Sequence, residues 1–343
     1  MWSGSVAVFL AIPLHLLSLG SCDDTSEKDI VIRVIPTTLT QLKYLQNLWL
    51  QDVEIDNFLL EKSQDYAYVD LIHFGNSYEG RNLSVLRINK PNSNNGITKK
   101  VAWMDANIHA REWITSAVAT WIINELLTNQ SLNNVLEQWD IYINPILNPD
   151  GLQYSKTNNR LWRKSRSPNP RTYCVGTDLN RNWDYYFGGV GASHNPCSIL
   201  YHGSRAFSEP ETAAASQYIS SLSPNTTLYL ALHSYSQLIL LPYGNTYQHP
   251  SDYDELMNIA LQGEAAIEGV GGGNWRSGTA SDLLYLSSGT ADDWAKAKAG
   301  IKYSYTFELR DRGYYGFLLP PGQIIPAAKE TWAGILAMLN ALS

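Results

Sequence analysis

The sequence predicts an α/β fold, in which a single domain is built on a central mixed, mostly parallel sheet flanked by helices. Short apolar segments typical of strands alternate along the chain with longer segments whose apolar residues recur at helical spacing. Three of the apolar segments end abruptly in histidine or carboxylate residues, as strands do at the ligand-binding edge of an open α/β sheet. The 11 Trp and 21 Tyr residues further indicate an ordered chain with a substantial core.

The expected elements follow one another from the N-terminus. Strands are expected at residues 67–74, 83–88, 101–104, 139–143, 228–232 and 303–307, and helices at residues 54–62, 114–127, 209–222, 253–268 and 325–339. A weaker strand at residues 29–36 and a helix at residues 40–50 precede them. The clearest helix start is at Ser208, because Ser208 and Glu211 have the spacing of a capping box and Pro210 falls in the first turn.

The composition excludes some classes of partner. The 343 residues carry a formal net charge of −7, which disfavours nucleic acid and anionic membrane surfaces as partners. An apolar run at residues 6–19 is too short for a comfortable membrane span and is followed by the small residues Gly20 and Ser21, as in a secretory signal peptide. We therefore expect a signal peptide at residues 1–22 and a secreted, extracellular monomer. The alternative for residues 6–19 is a buried N-terminal helix.

The 3 Cys residues predict one disulfide. Cys22 lies at the expected cleavage region, which leaves Cys174 and Cys197 as an even pair in an oxidising compartment. Closing the polar loop between these two residues should stabilise the fold by about 3 kcal/mol in the chain-entropy model.

The stretch that follows the apolar residues 101–104 indicates half of a metal site, because it contains His109 and Glu112. Imidazole nitrogen and carboxylate oxygen suit Zn²⁺, and a hydrolytic zinc usually has three protein ligands and one open position. The two residues are three positions apart, so a helical turn would direct both side chains to one side. Such a spacing is common by chance, and the prediction therefore needs a distant third ligand.

Two further strand ends supply candidates for that ligand and for a catalytic carboxylate. Residues 228–232 lead into His233, and residues 303–307 lead into Glu308. The carboxyl ends of neighbouring parallel strands share one edge of a sheet, so the three segments are expected to meet there. This predicts His233 as the third metal ligand and Glu308 as a carboxylate beside the metal. The alternative for His233 is a hydrogen-bonded core histidine.

Seven segments of the chain carry a resemblance to a known family. They are SYEGR at residues 77–81, HAREW at 109–113, NPDG at 148–151, NRLWRK at 159–164, DLNRNW at 178–183, HSYSQ at 233–237 and FELRD at 307–311. Together they resemble the zinc metallocarboxypeptidases of the pancreatic carboxypeptidase A and B type, over nearly all of the chain from about residue 54.

The resemblance implies one Zn²⁺ ion per chain, held by His109, Glu112 and His233. It also implies that Glu308 takes the proton of the attacking water and passes it to the leaving amine, and that Arg163 stabilises the negative charge that develops on the scissile carbonyl. The implied substrates are the C-termini of peptides and proteins.

A second set of residues is implied to bind substrate. Arg181, with Asn180 beside it, matches the group that binds the terminal carboxylate through paired hydrogen bonds. The other members of the set are Arg111, Ser234, Tyr235 and Tyr285. Tyr285 matches the mobile tyrosine that closes over the substrate, and Asp178 matches the carboxylate that orients His109. Without the resemblance, each Arg would be interpreted as a surface charge, Tyr285 as a packing residue and Asp178 as a loop cap.

The resemblance implies that Asp292 determines which C-terminal residue is released. Counted back from Trp294, it aligns with the base of the family's side-chain pocket, which is apolar in A-type enzymes and aspartate in B-type enzymes. The chain has one residue more than the family between Trp294 and Gly300, and this insertion leaves the position of Asp292 unchanged. A buried carboxylate there favours a terminal Lys or Arg, and Gly244 and Ala280 would leave room for a long side chain. The alternative for Asp292 is a helix-capping aspartate.

We therefore expect a signal peptide at residues 1–22, a remnant of an activation propeptide at residues 23–52, and a zinc carboxypeptidase catalytic domain at residues 53–343, closest to carboxypeptidase B in its pocket. The expected function is that of a secreted zinc exopeptidase that releases Lys or Arg. The alternatives are an A-type enzyme that releases aromatic or aliphatic residues, and an inactive zinc-binding pseudoenzyme with a shortened propeptide region. A zinc endopeptidase is disfavoured, because the chain has no H-E-x-x-H helix.

Overall fold

The computed structural model describes residue 49, residues 52–91 and residues 98–343. The expected signal peptide and the expected strand at residues 29–36 lie outside these residues, as does nearly all of the expected propeptide remnant, including the helix at residues 40–50 except for residue 49. Within the described chain, no helix combines the length and the apolar character that a membrane span requires.

Eight strands of the described chain form one sheet. They are β1 (Val69–Asn76), β2 (Asn82–Ile88), β3 (Lys100–Ala106), β4 (Trp139–Asn144), β5 (Thr226–Ser234), β6 (Leu238–Leu241), β7 (Arg276–Thr279) and β8 (Tyr303–Leu309). Their order across the sheet is β1-β2-β4-β3-β5-β8-β6-β7. Because β3, β5 and β8 are neighbours in the centre, the three segments that carry the expected site residues end at one edge, as predicted.

The predicted mixed, mostly parallel sheet is confirmed. Strand β3 is parallel to β4 and β5, β5 is parallel to β8, and β6 is parallel to β7. The antiparallel pairs are β1 with β2, β2 with β4, and β6 with β8. Every residue of β4 is buried, as expected for a central strand of a sheet whose two faces are both covered.

Helices pack on the sheet and supply the crossovers that parallel strands need. They are α1 (Asp52–Asp65), α2 (Trp113–Thr128), α3 (Asn133–Gln138), α4 (Pro149–Thr157), α5 (Pro210–Leu222), α6 (Tyr253–Gly269), α7 (Ala280–Leu283), α8 (Ala291–Ala297) and α9 (Ile324–Ala341). Short 3₁₀ turns occur at Gln130–Leu132, Leu179–Arg181, Gly316–Leu318 and Pro321–Gln323. The largest fully buried side chains include Trp103, Trp139 and Trp183, and truncating any one of them to Ala should destabilise the fold by about 3–5 kcal/mol.

The predicted long elements that fall within the described residues are all present, with ends that differ by a few residues. The sequence analysis missed β6, β7, α3, α4, α7 and α8, which contain between 4 and 9 residues each. Elements of this length complete too few turns or alternations for periodicity to reveal them. Three of them, β6, α7 and α8, border the candidate site.

The predicted capping box at the start of α5 is wrong, although Pro210 does occupy the first turn. The residue at the cap position is Glu209, and it makes no side-chain capping hydrogen bond. The Ser208 hydroxyl instead donates to the Glu209 carboxylate at 2.9 Å. Glu211 accepts the backbone N–H of Tyr78 at 2.9 Å, so its carboxylate connects the helix start to the SYEGR turn rather than capping the helix.

Candidate active site

Three strand ends bring the expected site residues together. Strand β3 leads into a loop that carries His109 and Glu112 immediately before α2. His233 lies near the carboxyl end of β5 and Glu308 near that of β8, and the two residues are register partners on these adjacent parallel strands. Both glutamates and both histidines are therefore at the same edge of the sheet.

Asn107 shapes the loop between β3 and α2. Its φ of 55° lies in the left-handed region, which Asn tolerates better than most residues. Its Nδ2 donates to the carbonyl oxygens of His109 and Glu112 at 3.3 and 3.4 Å. Its backbone N–H donates to the Thr115 hydroxyl at 3.0 Å. These bonds hold the turn that directs the two candidate ligands toward the cleft.

His109, Glu112 and His233 place three donor atoms around one point. His109 Nδ1 is 2.8 Å from Glu112 Oε1, and His233 Nδ1 is 3.2 Å from Glu112 Oε2. The two Nδ1 atoms are 3.1 Å apart. All three side chains are buried, and among the described residues they form the one group of three or more His, Cys or acidic residues whose donor atoms lie within 4.8 Å of one another. Two imidazole nitrogens and a carboxylate match the ligands of a hydrolytic zinc, so the residues present fit this metal.

Asp178 contacts both His109 and Arg163 from behind the cleft. Its Oδ1 is 3.2 Å from His109 Nε2, which leaves His109 Nδ1 directed at the metal position. Its Oδ2 accepts from Arg163 Nε at 3.0 Å and lies 2.9 Å from Arg163 Nη2. Burial alone would raise the pKa of Asp178, but the Arg163 guanidinium and the contact with His109 hold it well below its usual range. Asp178 is thus an ionised carboxylate that orients two candidate site residues.

Burial and neighbouring charges shift two other carboxyl groups of the site in opposite directions. Burial raises the pKa of Glu308 to about 7; His233 and Arg163 oppose this shift, and the Glu112 carboxylate adds to it. Burial would also raise the pKa of Glu112, but the adjacent His109 and His233 hold it well below its usual range. Glu112 is accordingly suited to remain ionised, and Glu308 is suited to accept a proton.

Arg181 and Asn180 lie in the 3₁₀ turn Leu179–Arg181 on another wall of the cleft. Arg181 Nε donates to the Gly191 carbonyl at 2.9 Å, and Nη1 donates to the Asn180 carbonyl at 2.6 Å. The Asn180 side-chain oxygen accepts the backbone N–H of Ala291 at 2.9 Å. These bonds fix the guanidinium and amide groups relative to the start of α8.

Gly289 permits the close packing of this wall against Arg181. Its φ is +70°, and a Cβ at this position would lie 2.5 Å from the Arg181 carbonyl oxygen. Its carbonyl also accepts the backbone N–H of Trp183 at 3.1 Å. A larger residue would push the segment away from Arg181, and would thereby separate the carboxylate-binding candidates from the pocket that contains Asp292.

One cleft contains all of the predicted metal, catalytic and substrate-binding residues. Its lining consists of His109, Arg111, Glu112, Arg163, Asn180, Arg181, His233, Ser234, Tyr235, Ser236, Leu240, Ala280, Leu284, Tyr285, Ser287, Thr290, Asp292, Thr306, Glu308 and Phe317. Tyr285 is 55% exposed and lies at the mouth, whereas Asp292 is 5% exposed and lies at the closed end. Residues that lie up to about two hundred positions apart in the sequence are thus brought together in one cleft.

Asp292 and Asp293 form a buried pair in the first turn of α8. The cap residue of this helix is Thr290, so Asp292 does not occupy the cap position that was its alternative assignment. Both carboxylate oxygens of Asp293 accept the backbone N–H of Gly244, at 3.1 and 3.0 Å. Burial and the adjacent Asp292 carboxylate raise the pKa of Asp293 well above its usual range. Of the two carboxyl groups, it is Asp292 that lines the cleft.

The sequence analysis missed Phe317, which with the predicted residues Arg111 and Tyr235 forms an aromatic wall of the cleft. Phe317 lines the cleft, and the Arg111 guanidinium lies 4.0 Å from the centre of its ring. The Tyr235 ring packs against Phe317 with a centroid distance of 4.9 Å. The segment that carries Phe317 follows the FELRD motif within a few residues, and this proximity was the available signal.

The predicted disulfide between Cys174 and Cys197 is present, with a Cα–Cα distance of 5.0 Å. The bridged loop contains Asp178 and Arg181. The covalent link therefore closes the segment that supplies one side of the cleft.

Comparison with known proteins assigns the family. The model of the zinc carboxypeptidase family matches residues 55–334. The chain belongs to the zinc carboxypeptidase family. This carboxypeptidase is 41% identical over 318 residues to carboxypeptidase O from Bos taurus, with 91% of this chain and 84% of that protein covered. It is 40% identical over 296 residues to carboxypeptidase B from Astacus astacus, covering 86% of this chain and 94% of that protein. It is 41% identical over 291 residues to carboxypeptidase A2 from Mus musculus, covering 84% and 67% respectively.

Solved structures share the fold of this carboxypeptidase. Bovine thrombin-activatable fibrinolysis inhibitor in complex with tick carboxypeptidase inhibitor matches with a TM-score of 0.82 and 36% identity, covering 86% of this chain and 98% of that chain. Carboxypeptidase A from Helicoverpa armigera matches with a TM-score of 0.80 and 32% identity, covering 86% and 74%. The predicted carboxypeptidase-like fold is confirmed. The predicted class of enzyme, a zinc metallopeptidase that acts on peptide C-termini, is confirmed as well. Because the relatives include A-type and B-type enzymes, the preferred C-terminal residue depends on the pocket of this chain.

Proposed function

We propose that this zinc carboxypeptidase releases Lys or Arg from the C-termini of peptides and proteins. The observation that carries the proposal is Asp292, a carboxylate that is 5% exposed at the closed end of the cleft that contains the metal-binding group. An unpaired carboxylate is costly in such a place, and a cationic substrate side chain compensates it. The neighbouring Asp293 does not line the cleft, so Asp292 is the member of the pair that faces the substrate.

Two charged groups orient the C-terminal residue in this proposal. Arg181, with Asn180 beside it, binds the terminal carboxylate by charge-assisted hydrogen bonds. The side chain of the same substrate residue extends toward Asp292, past Ala280, whose small side chain leaves room for it. Tyr285, at the exposed mouth, covers the bound residue. A substrate without a free C-terminal carboxylate loses the contact with Arg181, which accounts for exopeptidase action.

The remaining site residues carry the proton transfer and the electrostatic stabilisation. His109, Glu112 and His233 would hold a zinc ion, which would supply Lewis acidity toward the scissile carbonyl and the attacking water. Glu308, the register partner of His233, takes the proton of the attacking water and delivers it to the leaving amine. Arg163, oriented by Asp178, stabilises the negative charge that develops on the carbonyl oxygen.

We also propose that the protein is secreted, with a signal peptide at residues 1–22 and a propeptide remnant at residues 23–52 ahead of a catalytic domain at residues 53–343. The apolar run at residues 6–19 and the disulfide support this proposal. N-terminal sequencing of the protein recovered from the medium of secretory cells tests it. A product that begins near residue 23 is expected, and retention of the full chain inside the cells would contradict secretion.

The apolar part of the same pocket supports a second candidate, an A-type preference for aromatic or aliphatic residues. Leu240, Ala280 and Leu284 line the cleft beside Asp292 and could contact such a side chain. Their contribution is outweighed by the buried charge, because an apolar substrate would leave Asp292 unpaired in a water-depleted site.

Hydrolysis of two matched blocked dipeptides, one ending in Arg and one in Phe, tests the proposal on the zinc-loaded protein. Preference for Arg, abolished in the Glu308→Gln variant, is the expected result. Preference for Phe would establish the A-type alternative, and absence of activity on both with zinc bound would establish the pseudoenzyme. An otherwise identical substrate with a C-terminal amide should remain uncleaved; its cleavage would contradict exopeptidase action.

A further inference from the structure

Two histidines outside the cleft lie with their rings in contact. His202 Nε2 is 2.8 Å from His194 Nδ1, and the ring centroids are 4.4 Å apart with nearly perpendicular planes. Neither residue lines the cleft or belongs to the metal-binding group of three residues within it. The pair is therefore a second place in the described structure where two imidazole nitrogens converge.

A short backbone pairing holds the two histidines in this position. The backbone N–H of Ser193 donates to the Leu200 carbonyl at 2.9 Å, and the Ser193 carbonyl accepts the backbone N–H of His202 at 3.2 Å. Cys197, which lies between the two histidines in the sequence, is part of the disulfide. The loop from His194 to His202 is thus fixed by hydrogen bonds and by a covalent link, so little ordering of the chain is needed before an ion binds.

His202 is the rigid member of the pair and His194 the accessible one. His202 is 5% exposed, and its ring packs against Phe187 and Tyr201 at centroid distances of 4.7 and 5.6 Å. Burial and the adjacent His194 lower the pKa of His202, so its ring is neutral at neutral pH and keeps a lone pair for a metal. His194 is exposed, so solvent and ions reach the pair from its side.

Gly188 leaves space beside the two nitrogens. Its φ of +71° lies in the left-handed region, and a Cβ at this position would lie 3.6 Å from His194 Cε1 and 3.7 Å from His202 Nε2. A side chain here would be in van der Waals contact with both rings. Glycine therefore leaves room for a ligand next to His202 Nε2.

The separation of the two nitrogens is close to that of two ligands on one transition-metal ion. At metal–nitrogen distances of about 2.0–2.1 Å, two ligands of one ion lie roughly 2.9–3.4 Å apart. The Nδ1 atoms of His109 and His233 in the cleft are 3.1 Å apart, so the 2.8 Å between His194 and His202 requires an opening of only a few tenths of an ångström. Imidazole nitrogen suits zinc, copper and nickel ions. No third His, Cys or acidic group of the described chain joins the pair, so water would fill the remaining positions.

We propose that His194 and His202 form a second metal site, which binds one divalent transition ion such as Zn²⁺ and holds the loop around it in place. This loop supports a wall of the cleft, because the Gly191 carbonyl accepts from Arg181 Nε at 2.9 Å. An ion on the pair links the segment behind Arg181 to the buried His202 without contacting the substrate. The site goes beyond the proposed function and does not depend on which C-terminal residue the enzyme releases.

Zinc binding to the zinc-loaded protein, prepared without a polyhistidine tag, tests the proposal. At micromolar free zinc, equilibrium dialysis followed by elemental analysis should find two zinc ions per chain in the unmodified protein and one in His194→Asn. His202→Asn should lose the same ion; if this variant does not fold, the exposed position 194 provides the measurement. The additional zinc should raise the urea midpoint of the unmodified protein but not that of His194→Asn, because an ion that binds only the folded chain stabilises it.

Two control variants separate this site from other places where zinc could bind. Glu308→Gln removes a carboxylate beside the catalytic metal that could hold an additional ion, and it should keep the second zinc ion. His249→Asn removes another exposed histidine, whose Nε2 lies 2.8 Å from a carboxylate oxygen of Asp282, and it should keep that ion as well.

Three results would overturn the proposal. They are one zinc ion per chain in the unmodified protein, a second ion that is retained in His194→Asn, and loss of the second ion in either control variant. Zinc content is measured without substrate, so a failure of the proposed preference for Lys or Arg would leave this result unaffected.

Discussion

Replacing Asp292 by Asn should remove the preference for C-terminal Arg while leaving the fold intact. Asn has nearly the same shape as Asp, and position 292 lies in the first turn of α8, where an amide is tolerated. The change therefore isolates one property of the pocket, its negative charge. The Arg side chain of the substrate would still enter the closed end of the cleft, but its charge would lose most of its hydration without gaining a partner.

The expected magnitude follows from the burial of Asp292, which is 5% exposed. Removing one partner of a buried charge pair typically costs about 3–5 kcal/mol, because the other charge is left uncompensated. This range corresponds to a decrease of roughly 10²- to 5 × 10³-fold in kcat/KM for the substrate ending in Arg. For the substrate ending in Phe, the variant no longer carries an unpaired charge in the pocket, so its kcat/KM should be unchanged or higher. The ratio of the two kcat/KM values should consequently fall by at least about 10²-fold.

The assay measures kcat/KM for matched blocked dipeptides ending in Arg and in Phe, with zinc-loaded protein of verified thermal stability. Asp293→Asn is the matched control, because it changes the adjacent buried carboxyl group, which does not line the cleft. This control should keep the preference for Arg to within a few fold.

Two results would refute the reasoning. An equal decrease on both dipeptides in Asp292→Asn would show that Asp292 acts on the geometry of the cleft rather than on the substrate charge. If Asp293→Asn lost as much of the preference for Arg as Asp292→Asn does, the charge of the pocket could not be assigned to Asp292 alone.

Three other predictions concern catalysis, pH and covalent structure. Glu308→Gln should lower kcat by about 10²- to 10⁴-fold at unchanged zinc content, since Glu308 is outside the group of three metal ligands; activity within tenfold of the unmodified enzyme would rule out Glu308 as the base. Burial raises the pKa of Glu211 from 4.5 to about 7 in the folded chain, so the native state binds more protons between these pH values and stability should fall as pH rises through them, by up to about 3 kcal/mol. From pH 5 to pH 8, the free energy of unfolding measured in urea should fall less for Glu211→Gln than for the unmodified protein. Glu268→Gln, a control at an exposed position, should show the same fall as the unmodified protein. Equal falls in all three proteins would contradict this prediction. Replacing both Cys174 and Cys197 by Ser opens a loop with a sequence separation of 23 and should lower the free energy of unfolding by about 3 kcal/mol, and an unchanged urea midpoint would count against that value.

The long elements and the metal-binding half-site were accessible from the sequence because their signals are local. Helices such as α6 and α9 complete several turns, so their apolar residues show a clear period. His109 and Glu112 are three positions apart, and one turn of backbone is enough to direct both side chains the same way. Their recognition depends on no other part of the chain.

The short elements escaped prediction for the same physical reason. Strand β6 has 4 residues and helix α8 has 7, and a periodic pattern cannot be distinguished over so few positions. Asp292 was assigned only through the family resemblance, because nothing in the local sequence shows that α8 begins at the closed end of a cleft. The capping box at Ser208 shows the opposite error, in which a local motif was present but its side chains formed other hydrogen bonds.

By itself, the sequence determined the fold class, the strand ends that carry chemistry, the pairing of Cys174 with Cys197, and the residue types from which a zinc site could be built. Only the tertiary structure decided that β5 and β8 are adjacent in a register that places His233 opposite Glu308, and that Asp178 contacts both His109 and Arg163. It also decided that the imidazole nitrogens of His194 and His202 lie within reach of each other. Local periodicity reports which face of a segment is buried, whereas strand order and long-range contacts depend on the packing free energy of the whole sheet, which no single segment encodes.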